Sequence, residues 1–291
     1  MRRMPGLMSV ACLLVVAVAA QERPLPEREA FLRETRKHLQ TDTSLQSSYV
    51  YVETRREQKL DKRGRVLEES VKVFESYPGL PGENRWERLI AENGRPRPAV
   101  ELEKVDRNRQ RQAEALARRL TEQPAKERAR QERDLAEQRR EFEAIVDDIV
   151  VVFDIDMRGR EAIEGHDTIA LSLTPRPTAK PRTHQGRQMQ KFALRAWINE
   201  SDHELVRLEA EAIDTLSMGF GVLARLHKGS QLSFLRRRVN DEVWLPAAVR
   251  FRGGVRVALV RTLRRSGTSE FSDYRKFSVD TATTYQPPKT P

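Results

Sequence analysis

The 291-residue chain has a single cysteine, Cys12, and five histidines. One thiol cannot form an intramolecular disulfide, and Cys12 lies inside an apolar stretch running from Leu7 to Ala20. If that stretch is removed, the remaining chain has no thiol to serve as nucleophile or metal ligand, and its fold must rest on its own core. Beyond residue 20 there is no apolar run near the ~20 residues needed to span a bilayer as a helix. His38, His166, His184, His203 and His227 are scattered, with no two placed as a metal pair on one element. The motifs HExxH, GxSxG, GxGxxG and the P-loop are all absent. The expectation is therefore no catalytic residue, no metal and no cofactor. A formal charge of +10 comes from 53 basic against 43 acidic residues. So diluted an excess does not point to nucleic acid, and suits at most a peripheral contact with an anionic membrane.

The N-terminus carries its own signal. Arg2 and Arg3 precede the apolar stretch, which ends in Ala17-Val18-Ala19-Ala20 before polar Gln21-Glu22-Arg23. That order predicts a cleavable signal peptide over residues 1–20 and export to the periplasm or cell envelope. Ser9-Val10-Ala11-Cys12 loosely resembles a lipoprotein cleavage site, but the apolar run continues for eight residues past it.

Residues 26–40 predict a helix, with Pro26 in the first turn, Glu27 and Glu29 near its start, and Arg36 and Lys37 near its end. From Leu45 the pattern changes to period two. Tyr49 and Tyr51, Val71 and Val73, and Trp86, Arg88 and Ile90 mark three strands, the last ended by Asn93-Gly94. Residues 99–148 lack glycine and are rich in Glu, Arg, Gln and Ala, all good helix formers. Pro124 divides this insertion into two helices. Its middle has almost no apolar side, which predicts an exposed helical segment; the alternative is an arm that docks a protein partner.

After residue 150 period two returns. Candidate strands are 150–157, 167–174, 189–199, 204–213, 221–227, 231–239, 243–252, 255–264 and 270–279. Turns fall at Gly159, Gly165, Glu200-Ser201-Asp202, Lys228-Gly229, Asn240-Asp241, Gly253-Gly254 and Ser266-Gly267. Residues 175–188, with three prolines, read as a long loop, and 281–291 as a disordered tail. Asp154 and Asp156 share a strand face, but Arg158 and Arg160 lie near enough to neutralise them. Arg236-Arg237-Arg238 reads as a solvated strand segment with cross-strand partners. Close strands and short turns predict α+β: one strongly curved antiparallel sheet, an incomplete β-barrel, with covering helices and a long charged insertion.

The run Leu194-Arg195-Ala196-Trp197-Ile198-Asn199, followed by His203-Glu204-Leu205-Val206-Arg207-Leu208-Glu209, resembles a hairpin of the exported LolA/LolB-like superfamily of outer-membrane lipoprotein-sorting carriers. Asp241-Glu242-Val243-Trp244-Leu245-Pro246 and Ser272-Asp273-Tyr274-Arg275-Lys276-Phe277 are similar to later strands of that family. The resemblance covers roughly 150–280, and more loosely 27–93. It implies a single half-barrel domain over 21–280 whose helices close an apolar cavity, and a role in carrying acyl chains or sensing the state of the envelope. The charged insertion at about 99–148 departs from the well-studied carriers. The expected ligand is a lipid or lipoprotein acyl chain, with Phe192, Leu194, Ile198, Val206, Leu208, Val71, Val73 and Trp86 lining the concave face.

Overall fold

A computed structural model describes residues 23–41, 48–80, 83, 85–122, 124–218, 224–257 and 261–276. The expected signal peptide and C-terminal tail lie outside these residues. Helix α1 (Arg28–Thr41) begins where the Glu27 carboxylate accepts the backbone N–H groups of Ala30 and Glu29, at 2.6 and 2.8 Å. These donations, the Ala30 one foremost, hold Glu27 below the usual carboxylate range.

Strands β1 (Tyr49–Leu60) and β2 (Val66–Tyr77) form a hairpin. Its turn is set by Asp61, which accepts the N–H of Arg63 and of Arg65, while Gly64 takes φ +83°, a conformation costly for any residue with a Cβ. Strand β3 (Trp86–Glu92) and the two-residue β4 (Arg95–Pro96) follow.

The charged insertion forms helices α2 (Ala99–Thr121) and α3 (Ala125–Val152). Pro98 and Pro124 stand at their N-caps, where a missing N–H is harmless. The remaining elements are β5 (Phe153–Ile163), β6 (His166–Pro175), α4 (His184–Met189), β7 (Phe192–Asn199), β8 (Leu205–Ala212), β9 (Leu216–Met218), β10 (Ala224–Leu226), β11 (Gln231–Val239), β12 (Val243–Val257) and β13 (Arg261–Lys276).

All pairings are antiparallel, in the order β4-β3-β2-β1-β13-β12-β11-β8-β7-β6-β5, with β9 and β10 attached beside β12. Among the described residues β4 and β5 do not pair, so the sheet stays open: an α+β incomplete barrel. The insertion joins one edge of the sheet to the other. Its two parts dock on opposite faces. In α2, Asp106 binds Arg88 at 2.8 Å and Arg109 lies over the Trp86 ring. The end of α3 joins the main core through Ile149 and Val152.

Three expectations need correction. The helix over the insertion runs on through Val152, so the strand expected from 150 begins at Phe153. An apolar run such as Ile149-Val150-Val151-Val152 fits either period, and here packing against α1 and β5 decides for helix. Gly253-Gly254 and Ser266-Gly267 are not turns: β12 and β13 run through them as 15- and 16-residue strands. A Cβ on Gly253 would come within 2.5 Å of Ser230 Oγ and 2.8 Å of the Phe251 ring, so this glycine permits close approach and not reversal. The loop after β6 contains α4. Asp148 of α3 pins it by accepting the N–H groups of Arg182 and Thr183 and the Thr183 hydroxyl, at 2.9, 2.8 and 2.6 Å. Burial pushes the Asp148 carboxyl up, but these donations outweigh it and leave the group below its ordinary value.

Candidate functional site

An apolar strip crosses five strands. Cross-strand pairing aligns Leu173, Leu194, Ala210, Leu232 and Phe251 in one row. A second row, two residues along each strand and hence on the same face, aligns Leu171, Ala196, Leu208, Phe234 and Val249. At β13 the rows reach Gly267 and Ser269, and at β1 they meet Glu57 and Arg55, so the apolar surface stops there.

The strip is covered by helices at one end only. Phe31 and Leu32 of α1, Ile149 and Val152 of α3, and Met189 of α4 pack with Leu171, Leu173, Leu194, Ala196 and Leu208. Phe251 instead joins Phe192, Ala212, Leu216 and Leu226 under the β9–β10 hairpin. Between the two clusters Leu232 is 39% exposed, and Phe234 and Val249 are half-buried. The strip therefore emerges from beneath the helices and lies accessible between the two clusters, an arrangement suited to an extended apolar chain.

The eight residues expected to line the cavity fall on two faces. Phe192, Leu194 and Leu208 belong to the strip's face, and Ile198 is buried in the same core. A bulge pairs Ile198 with Leu205, so Leu205 packs in the core while Val206, fully buried, lies outside that cluster. Val71 shares a cross-strand row with Arg56, Thr268, Arg250, Ser233, Glu209 and Arg195, which places it on the opposite face. Val73 and Trp86 share that face, and Trp86 packs on Tyr77 with ring centroids 5.2 Å apart. The structure thus does not bring Val71, Val73 and Trp86 to the strip, because face is set by register carried across seven strands.

Sequence reasoning left out Leu232, Phe234, Val249 and Phe251. Their signal was present: Leu232 and Phe234 flank Ser233, and Val249 and Phe251 flank Arg250, inside strands the pattern had already marked.

A groove of about 600 Å³ crosses the same strands, with Leu194, Arg195, Glu209, Leu232, Arg250 and Phe251 among its lining residues. Its mixture of charges and apolar side chains gives it no catalytic pairing. Asp154 meets Arg176 at 3.2 Å and Asp156 meets Arg158 at 3.4 Å, both near the surface. Arg160 turns instead to Glu200, at 2.8 Å.

The three consecutive arginines of β11 diverge. Arg237 pairs with Glu164 and Arg238 with Asp202, both outward, whereas Arg236 is buried and donates to the Trp244 carbonyl at 2.7 Å and to Glu204 at 3.1 Å. Burial, and then the neighbouring Asp202, push Glu204 up to about 7, while burial lowers Arg236 to about 10. His38 lies 3.4 Å from Glu204 and stacks on His203. Among the described residues no group of three or more His, Cys, Asp or Glu could hold a metal ion, and no helix is long and apolar enough to cross a membrane.

No family model and no curated protein matches the chain. Solved structures of similar arrangement include an outer membrane lipoprotein-sorting protein domain from Vibrio parahaemolyticus, at 10% identity and TM-score 0.33 over 84% of this chain and 90% of that one. A LolA superfamily protein from Nitrosomonas europaea matches at 10% identity and TM-score 0.25, over 88% of this chain and 97% of that one. The MucA/MucB complex of Pseudomonas aeruginosa matches at 7% identity and TM-score 0.25, over 86% of this chain and 99% of that one. These likenesses are slight in sequence and in superposition.

Proposed function

We propose that the protein is an exported, non-enzymatic envelope protein that holds an apolar ligand, the acyl chain of a lipid or lipoprotein, along the strip. The observation that carries this reading is the ten-residue apolar surface, covered by helices at one end and open at Leu232, Phe234 and Val249. Each chain methylene moved from water onto such a surface contributes about 0.8 kcal/mol, so a seat for eight or so methylenes gives affinity in the tens of micromolar before ordering costs. Basic residues on the rest of the surface would favour delivery to or from anionic membranes.

The test is native mass spectrometry of the purified protein together with titration of a fluorescent fatty acid. Bound lipid is expected, and Leu232→Glu with Phe234→Glu should abolish the fluorescence change while leaving the fold intact. Failure to find any co-purifying lipid or any fatty-acid binding would remove the carrier reading.

One observation favours a second reading, an envelope sensor or interaction module that docks a partner through the insertion. Residues 126–143 of α3 are exposed almost throughout, with Leu135 48% and Phe142 45% exposed. A partner captured by the intact chain and lost from Leu135→Ser with Phe142→Ser, fatty-acid binding unchanged, would favour this alternative.

A further inference from the structure

Opposite charges meet along most of the β1–β2 hairpin: Arg55 with Glu53 and Glu87, Arg56 with Glu69, Lys59 with Glu68. Where that hairpin turns back towards the β10–β11 connection the pattern breaks. A pocket of about 520 Å³ there is lined by His227, Lys228, Arg252 and Arg264, together with Leu60, Ser230, Gln231 and four glycines, and, among the described residues, by no carboxylate. Among the described residues Lys228, Arg252 and Arg264 meet no acidic side chain. Two neighbouring acids are otherwise placed: Asp61 is spent on the turn and on Arg65, and Glu211 lies opposite Gln231 on β8.

The cationic groups are positioned as well as unpaired. Arg264 Nη1 donates to the Lys62 carbonyl at 2.8 Å, which fixes the guanidinium and leaves its other N–H groups free to point elsewhere. Arg252 reaches the same turn, its Nη2 only 3.4 Å from where a Cβ on Gly64 would stand. Gly254 gives His227 room, since a Cβ there would lie 3.2 Å from the imidazole. The backbone N–H of His227 is anchored to the Gly254 carbonyl at 3.0 Å, and its Nε2 is buried without a hydrogen-bond partner among the described residues. A buried ring nitrogen without a partner costs free energy unless something completes it.

We infer that this pocket is a binding site for a phosphate-bearing anion, either a free phosphate ester or the phosphate of a lipid headgroup. Forked guanidinium donors match the oxygens of a tetrahedral oxyanion, and Lys228 adds a point charge. Glycines around the rim let an anion approach the backbone closely. The site shares no residue with the proposed seat for an acyl chain, so it stands apart from the carrier reading.

Calorimetric titration of the purified full chain with inorganic phosphate, at fixed ionic strength, is the first arm. Co-sedimentation with phosphatidylglycerol vesicles, against phosphatidylcholine vesicles, is the second. Arg252→Gln with Arg264→Gln is expected to weaken binding about a hundredfold, roughly tenfold per charge-assisted donor. Arg158→Gln with Arg237→Gln, the same loss of charge elsewhere, should change it little. Phosphate binding lost only in the pocket variant establishes the site for free phosphate. Vesicle binding alone, with the same dependence, assigns it to a headgroup. No binding in either arm, or equal weakening by both double variants, overturns the inference. Should the pocket variant fail to fold, Lys228→Gln on the exposed turn carries the same test. Loss of fatty acid with retention of phosphate in Leu232→Glu with Phe234→Glu would separate this site from the carrier function.

Discussion

The two ends of the sheet solve the same geometric problem with different chemistry. At the β5–β8 end, alternate residues are apolar and a layer of helices lies on them, so Phe153, Ile169, Leu171 and Ile198 are almost wholly out of water. At the β1–β2 end the strands are as long and as regularly paired, and Tyr49, Val50, Tyr51 and Tyr77 are buried away from the turn, yet towards the turn Val66 and Leu67 are exposed and the cross-strand neighbours are ions. Exposed ion pairs each contribute little, about 0–1 kcal/mol, whereas a buried aromatic contributes several. Stability should therefore be concentrated at one end, and the other is free to carry surface chemistry.

Mutations can break or sharpen this contrast. The largest effect is expected for Phe153→Ala in the helix-covered core, a loss of about 3–5 kcal/mol in denaturant unfolding. Asp148→Ala should come next, since it strands two buried N–H groups and a hydroxyl, at about 1–3 kcal/mol for the unsatisfied donors. Because the Asp148 carboxyl is held below its ordinary value of 3.8, its contribution is present above that pH and is lost as the pH falls through the native value; acid unfolding of Asp148→Asn should be shallower.

Glu204 works in the opposite sense. Its carboxyl is raised to about 7 from an ordinary 4.5, so between those values the unfolded chain has released a proton that the folded one retains. Stability from this group is full below pH 4.5 and declines as the pH rises to about 7, and Glu204→Gln should flatten that decline in thermal unfolding measured across the range. The smallest effect is expected for Glu69→Ala, under about 1 kcal/mol despite its contacts with Arg56 and Gln58, and a larger loss there would refute the contrast.

How much of this could be read from sequence follows the same division. Local periodicity was legible in part: β6, β7, β8 and β11, the split of the insertion at Pro124, and the Asn93-Gly94 and Glu164-Gly165 turns are all local signals, and each lies close to where the pattern places it, whereas the strands expected at 255–264 and 270–279 are parts of the longer β12 and β13. Glycines that serve distant neighbours were misread, because nothing near Gly253 in the chain announces that Ser230 will press on it. The apolar strip was half visible: each strand shows its alternation, but which faces coincide depends on register between strands up to two hundred residues apart. Arg236 shows the same limit, since its neighbours Arg237 and Arg238 are surface residues and only the pairing with Glu204 and the Trp244 carbonyl marks it as interior.

The two edges of the sheet are also linked by a segment that cannot stretch. Helices α2 and α3 are about 35 and 42 Å long at 1.5 Å per residue, and a helix resists changes in length. Arg109 rivets one of them beside β3, and Ile149 with Val152 rivets the other beside β5. If the gap between the β4 and β5 edges widens to admit a bulky guest, a change of angle at Pro124 would take up the movement, and the pair of helices would work as a caliper whose joint records the width of the opening.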